Sequence, residues 1–207
     1  MLSYQTVKPD TLELLKQLMQ IPLFSSLRLV GGTALALQYG HRSSVDLDLF
    51  GQLERNTALV TEALFPLGDV VVGSCSEHIK NYWVNGVKID FVDYSRYPWL
   101  DDAVEEDLFR LASPRDIAAM KINAIEGRGS RKDFVDIYFL LQHYSLKEIM
   151  DYYARKYPEH SSFRAMLSLA YFDDAEAQPM PEMFNTVQWE EIKRFILKAV
   201  EEYNASF

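Results

Sequence analysis

Residues 45–50, Val-Asp-Leu-Asp-Leu-Phe, alternate apolar side chains with Asp46 and Asp48. A period of two marks a strand with unlike faces, because successive side chains of extended backbone point to opposite sides. Val45, Leu47 and Leu49 claim one face for a core, and Asp46 and Asp48 share the other. Upstream, residues 27–30 read as a short strand stopped by Gly31-Gly32, and residues 33–39 as a helix ended by Gly40. The unit is strand, glycine turn, helix and then a second strand bearing two acids, which commits this part of the chain to a sheet with helices on it.

The flanking sequence extends that unit. In residues 11–20, Leu12, Leu15 and Leu18 form one stripe, with Pro9 and Asp10 before them and Pro22 after. Residues 56–64 read as a helix and 70–72 as a strand. Asn85-Gly86 between strand patterns at 78–84 and 87–92 predicts a type I′ hairpin. Beyond an acidic stretch, Ser113, Ser130 and Ser145 each stand three residues before an acid (Asp116, Asp133 and Glu148), the pattern of a capped helix start. Two further helices are expected within 161–172 and at 187–203, and Pro179 and Pro181 mark the one linker-length loop of this half. The expected fold class is α+β. A mixed sheet with flanking helices and an N-terminal helix occupies residues 1–110, and a helical domain that completes the active site occupies 111–207.

Composition narrows the function classes. The chain has 207 residues, 48% of them hydrophobic, which is ample for a core. Its net charge of −9 argues against a protein that coats nucleic acid, since such affinity comes from Lys and Arg releasing phosphate counterions. A polyanion would have to be met by a local basic pocket. Residues 121–132 supply one in sequence: Lys121, Arg128, Arg131 and Lys132 stand against Glu126 alone. The single cysteine, Cys75, excludes an intramolecular disulfide and a cysteine-based zinc site. There is no signal-peptide pattern and no apolar run of membrane-spanning length, so a cytoplasmic location is expected.

The glycine turn lets backbone approach a ligand, and the first N–H groups of the helix at Thr33 and Ala34 would face it, a geometry suited to a triphosphate. Asp46 and Asp48 on one strand face form a pair of hard oxygen donors of the kind that holds Mg²⁺. In residues 87–92, Asp90 projects amid apolar neighbours and is read as a third metal-binding carboxylate completing a two-metal site, with Mn²⁺ an alternative ion. Asp93 is read as structural. Lys121, mid-helix among apolar residues, is expected to reach outward to phosphate oxygens. Asp116 and Asp133 are explained as helix-cap acids. Asp136 has an ordinary alternative, an ion pair with Lys132 four residues back. Arg42 could grip a phosphate bidentately, with His41 and Ser44 beside it in the turn.

Apolar residue, Gly-Gly, spacer and Asp-Leu-Asp, with an acid on a later strand, resembles the nucleotidyltransferase superfamily typified by polymerase beta. The fuller form, GGTALALQYGHRSSVDLDLF with SPRDIAAMKINAIEGRGSRKDFVDIYFLL downstream, resembles its AbiEii/AbiGii toxin family over roughly residues 29–141. The resemblance implies Mg²⁺-dependent transfer of a nucleotide from an NTP to an acceptor hydroxyl. Asp46, Asp48 and Asp90 would hold metal, and Lys121 and Asp136, the last acid of a Lys-Asp-x-x-Asp motif, would act in catalysis. Gly31, Gly32, Thr33, Arg42, Ser44, Lys121, Arg128 and Lys132 would bind the nucleotide, with Gly-Gly-Thr where many nucleotidyltransferases have Gly-Ser and Thr33 supplying the phosphate-binding hydroxyl. It also implies a toxin of a toxin–antitoxin or phage-defence pair, with a cognate antitoxin and tRNA or another nucleic acid as acceptor. Transfer to a small molecule or a protein, a module that binds nucleotide without turnover, and a helical half serving mainly as a partner surface are the alternatives.

Overall fold

The computed structural model describes residues 1–206. They form two compact units. One comprises Met1–Gly40, Ser44–Pro98 and Asp102–Ala112, and contains the sheet; the other comprises His41–Ser43, Trp99–Asp101 and 113–206, and is helical.

In the sheet unit, α1 (Pro9–Gln20) precedes β1 (Arg28–Leu29), α2 (Gly31–Tyr39), β2 (Leu47–Gly51) and α3 (Thr57–Leu64). Then come β3 (Val70–Cys75), β4 (Ile79–Val84), β5 (Val87–Asp93), β6 (Val104–Glu106) and β7 (Phe109–Leu111). The strands make one mixed sheet in the order β3-β4-β5-β2-β1-β7-β6. The central β2 runs parallel to β5 and antiparallel to β1, and within it burial alternates: Leu47 and Leu49 are buried and Asp48 is partly exposed, while Val45 precedes the strand and is exposed instead of joining the core face. Asn85 and Gly86, with φ of 51° and 79°, form the type I′ turn that closes the β4–β5 hairpin.

Three local readings change. β1 is only two residues long, and the Gly-Gly pair is not a turn before a helix but its first turn, α2 beginning at Gly31. α1 buries Leu14 and Met19 alongside Leu15 and Leu18, while Leu12 lies at the stripe's margin. The acidic stretch after residue 101 contains a hairpin, β6–β7, turning at Asp107 with φ 48°. Its strands of three residues are too short to show a period.

The helical unit contains α4 (Pro114–Arg128), α5 (Arg131–Leu140), α6 (Leu146–Lys156), α7 (Ser162–Leu169), the short α8 (Asp173–Glu176) and α9 (Trp189–Asn204). α4 packs on α5, α6 and α7, and α9 closes against α5, α6 and α7. Aromatic residues fill the space around α5, with Phe134, Phe172 and Trp189 meeting ring to ring. Ser113 and Ser145 cap their helices as expected, Ser145 in a full reciprocal box with Glu148. The proline loop is not a free linker: Ser43 N–H donates to the Glu182 carbonyl and Phe184 N–H to the His41 carbonyl, which ties residues 41–43 into this unit. No helix among the described residues is long and apolar enough to cross a membrane.

Candidate active site

In the sheet unit the paired acids lie against the start of α2. Gly31 has φ 67°, and a Cβ added there would sit 2.5 Å from Asp48 Oδ2, so only glycine lets the helix begin this close to the carboxylate. Val30 N–H donates to the Asp48 carbonyl at 2.8 Å and locks the strand to the helix start. α2 has no side-chain cap, leaving its N-terminal end with the partial positive charge that suits an anion.

Thr33 is placed differently from the expectation. Its hydroxyl is buried, donates to the Asp46 carbonyl at 2.5 Å and lies 2.8 Å from Ser44 Oγ. A carbonyl can only accept, so the Thr33 proton goes to Asp46 and the Ser44 hydroxyl donates to Thr33. Both hydroxyls therefore fix the backbone carrying Asp46 instead of standing ready for a phosphate.

Asp48 and Asp90 are directly opposed across the parallel β2–β5 pair, which brings the third expected acid beside the first two. Asp90 is also engaged by two side chains that the sequence reading left unassigned. Lys88 Nζ donates to its Oδ2 at 2.5 Å and Asn81 Nδ2 to its Oδ1 at 2.7 Å. The hydrogen bond to Asp90 raises the Lys88 pKa, and the charges of Asp90, Asp46 and Asp48 raise it further, against the opposing effect of burial. Among the described residues no group of three His, Cys, Asp or Glu side chains is arranged to hold a metal ion. Asp90 is thus bound to a lysine beside Asp46 and Asp48. Asp48 on β2 and Asp46 just before it still fit Mg²⁺, which commonly takes one or two carboxylates and completes its shell with substrate phosphates. The signal for Lys88 was present in the sequence, since it precedes Asp90 by two positions and must share its face.

The helical unit collects the other predicted residues into a buried ionic network. Asp136, fully buried, accepts Arg42 Nε at 2.7 Å and Nη2 at 2.9 Å, lies 2.8 Å from His41 Nε2, and pairs with Lys121 Nζ at 2.6 Å. Lys121 also donates to Asp133 at 2.8 Å, and Asp133 takes Arg128 Nε at 3.0 Å and the Ser130 hydroxyl. Burial alone would raise both carboxyls, but Arg42 and Lys121 hold Asp136 well below the ordinary carboxylate range, and Lys121 with Arg128 does the same for Asp133. Burial likewise opposes the charge on Lys121, and Asp136 and Asp133 outweigh it and raise its pKa.

Several readings are corrected by this geometry. Lys121 does not reach outward but is 4% exposed and bridges two aspartates; Arg42 grips a carboxylate bidentately. Asp133 is an ion-pair anchor, and Ser130 makes no side-chain bond to the helix backbone. Asp136 does not pair with Lys132, which is exposed. Arg131 binds the carbonyls of Ala175 and Glu176 and lies over Trp189, so the basic run of 121–132 does not form one open pocket. Asp116 is more than a cap acid: Lys156 Nζ lies 2.6 Å from it, both side chains fully buried, and Lys156 also sits over the Trp99 ring.

A mixed sheet carrying paired aspartates against a glycine-started helix is the arrangement of a nucleotidyltransferase, and comparison with known proteins agrees. The sequence matches the family described as nucleotidyl transferase AbiEii toxin, type IV toxin–antitoxin system, over residues 13–206. The chain belongs to that family and is an enzyme of the nucleotidyltransferase class. It is 32% identical over 206 residues to an uncharacterised protein of Aquifex aeolicus, covering 95% of this chain and 97% of the relative. Among solved structures it resembles JHP933 from Helicobacter pylori (17% identity, 97% of this chain and 96% of that one, TM-score 0.53). It also resembles MenT4, a nucleotidyltransferase toxin from Mycobacterium tuberculosis (12% identity, 94% and 86% coverage, TM-score 0.52). At these identities the structural likenesses establish the fold.

Proposed function

We propose that this toxin nucleotidyltransferase moves an NMP from an NTP to an acceptor hydroxyl on RNA, with a tRNA end as the first candidate. The observation that carries the reading is the approach of Asp48 to the Gly31 start of α2, with Asp90 in register beside it. The amide end of α2 at Gly31 and Gly32 would cradle the triphosphate, and Thr33 and Ser44 would keep Asp46 in place. Mg²⁺ or Mn²⁺ held by Asp46 and Asp48 would supply charge neutralisation on the phosphates. The acceptor oxygen attacks the α-phosphorus, the bond to the bridging oxygen breaks, pyrophosphate leaves, and the hydroxyl proton passes to solvent. Asp90 would face the acceptor side.

In the helical unit, Arg42, Lys121 and Asp136 spend their charge on one another, so their part in this reading is to hold α4, α5 and the 41–43 segment in one arrangement. Arg128 and Lys132 are the cations of the basic run that solvent reaches, and we assign phosphate contact to them. The acidic total favours an RNA end met at one point over a duplex gripped along its length. Family membership makes a cognate antitoxin part of the proposal.

The test is incubation of the full chain with each α-labelled NTP and Mg²⁺, offering total tRNA, other RNA, total protein and small-molecule acceptors in turn. Label in the tRNA fraction, lost with Asp48→Asn, is expected. Label in protein or a small molecule would replace the acceptor, and bound but unconsumed NTP would remove the catalytic reading.

A further inference from the structure

Asp46 immediately before β2, Asp48 on it, and Lys88 and Asp90 on β5 form a two-by-two patch. Asp48 stands opposite Asp90 and Leu47 opposite Ile89, and carrying that parallel register back one residue sets Lys88 alongside Asp46. Side chains two apart on a strand share a face, so Asp48, Lys88 and Asp90 project from the same side of the sheet, and Asp46, one residue before β2, lies close enough for its charge to act on Lys88. Three corners are acids, and the fourth is an ammonium within 2.5 Å of Asp90 Oδ2.

Asp90 is held firmly in that pairing. Its other oxygen accepts Asn81 Nδ2 at 2.7 Å, and Asn81 is in turn fixed by the Ser74 hydroxyl on its Oδ1 at 2.5 Å. A two-ion site needs carboxylates that bridge cations roughly 3.5–4 Å apart. An ammonium and a divalent ion drawn to the same carboxylate repel each other at such distances. The side chain of Lys88 is 38% exposed, so a chain reaching into solvent is available to it, yet it lies on Asp90.

We infer that the Lys88 ammonium takes the place of the second divalent ion, so that the chain binds one divalent ion at Asp46–Asp48 and uses lysine as the resident cation at Asp90. The inference rests on the reading that Asp46 and Asp48 hold a divalent ion. It makes Lys88 a positioning residue that sets Asp90 and fixes the metal count at one.

Electron paramagnetic resonance of the full chain with Mn²⁺, with and without an α,β-methylene nucleoside triphosphate, reads that count directly, because two Mn²⁺ ions a few ångströms apart give a spin-coupled spectrum and one does not. The wild type is expected to bind a single uncoupled ion. Lys88→Met, which keeps the apolar stem and removes the charge, is expected to gain a second, coupled ion, and Lys88→Arg to stay at one. A coupled pair in the wild type, or a single ion in Lys88→Met, would overturn the inference while leaving the Asp46–Asp48 assignment standing. Failure of the wild type to bind Mn²⁺ at all would overturn that underlying assignment as well. Should Lys88→Met not fold, as judged by circular dichroism, Lys88→Gln carries the same readout.

Discussion

The protein holds two groups of three aspartates that are treated in opposite ways. Asp116, Asp133 and Asp136 in the helical unit are fully buried, and each has a cation at hydrogen-bonding distance: Lys156 for the first, Lys121 and Arg128 for the second, Arg42 and Lys121 for the third. Asp46, Asp48 and Asp90 in the sheet unit are half-buried and close together, and the Lys88 ammonium offsets one of their three formal charges. Buried charges must be matched by neighbours or the fold fails; partly exposed like charges held together by backbone register keep a field for a ligand. The contrast separates acids sealed in the core with their cations from acids grouped where solvent and a ligand can reach them, a distinction residue type alone does not make.

Asp136→Asn should break the helical group most severely. It removes the shared partner of Arg42 and Lys121 and leaves buried cations short of charge, a loss of about 3–5 kcal/mol. The pH dependence fixes the sign. The folded-state pKa of Asp136 lies below its unfolded value, so its stabilisation is complete above the unfolded value of about 3.9 and disappears as pH falls through the folded one. The melting-temperature gap between wild type and Asp136→Asn should therefore be constant from neutral pH to about 5 and shrink below about 4. A gap that widens in acid would show that Asp136 is not ionised in the folded protein.

Asp48→Asn should do the reverse, leaving stability within about 0.5 kcal/mol while nucleotidyl transfer falls about a hundred- to a thousand-fold, by analogy with loss of one preorganised electrostatic group. Thermal melts and transfer rates measured on the same preparation give both numbers. A large loss of stability here would erase the distinction between the two groups.

How much of this could be read from the sequence depended on what set each feature. The two-faced strand β2 and the Asn85-Gly86 hairpin follow from alternation and turn chemistry over a few residues; the hairpin formed where expected, and β2 formed two residues late, with Val45 outside it and exposed. The short strands β6 and β7 carry no such period. Asp133 and Glu148 stand in the same relation to a preceding serine, yet Glu148 completes a capping box at the surface and Asp133 is buried under Lys121 and Arg128. Only tertiary packing distinguishes them. In the site, Asp48 beside Asp90 was legible from strand faces, whereas the diversion of Thr33 to the Asp46 carbonyl required knowing how closely α2 approaches β2.

That approach is tested by Gly31→Ala. A left-handed φ at an alanine costs about 1–2 kcal/mol, and the new methyl would meet the Asp48 carboxylate at 2.5 Å. Melting should fall modestly and transfer should fall with it, because the displaced group is a proposed metal ligand. Unchanged transfer would mean that Asp48 tolerates being moved.

Ser113→Ala should have the smallest effect, and it probes how thoroughly the helical acids are satisfied. Ser113 accepts the Asp116 N–H at 3.1 Å, and its hydroxyl lies 2.8 Å from Asp116 Oδ2, so the substitution removes the cap of α4 and one donor to a buried carboxylate. Asp116 keeps Lys156 at 2.6 Å and the Leu100 N–H at 2.9 Å. The expected loss is therefore that of an N-cap, about 1 kcal/mol, and not that of an exposed buried charge. For a chain of this size it would lower the melting temperature by roughly 2–4 °C. A drop equal to that of Asp136→Asn would mean that Ser113, not Lys156, keeps Asp116 tolerable in the core.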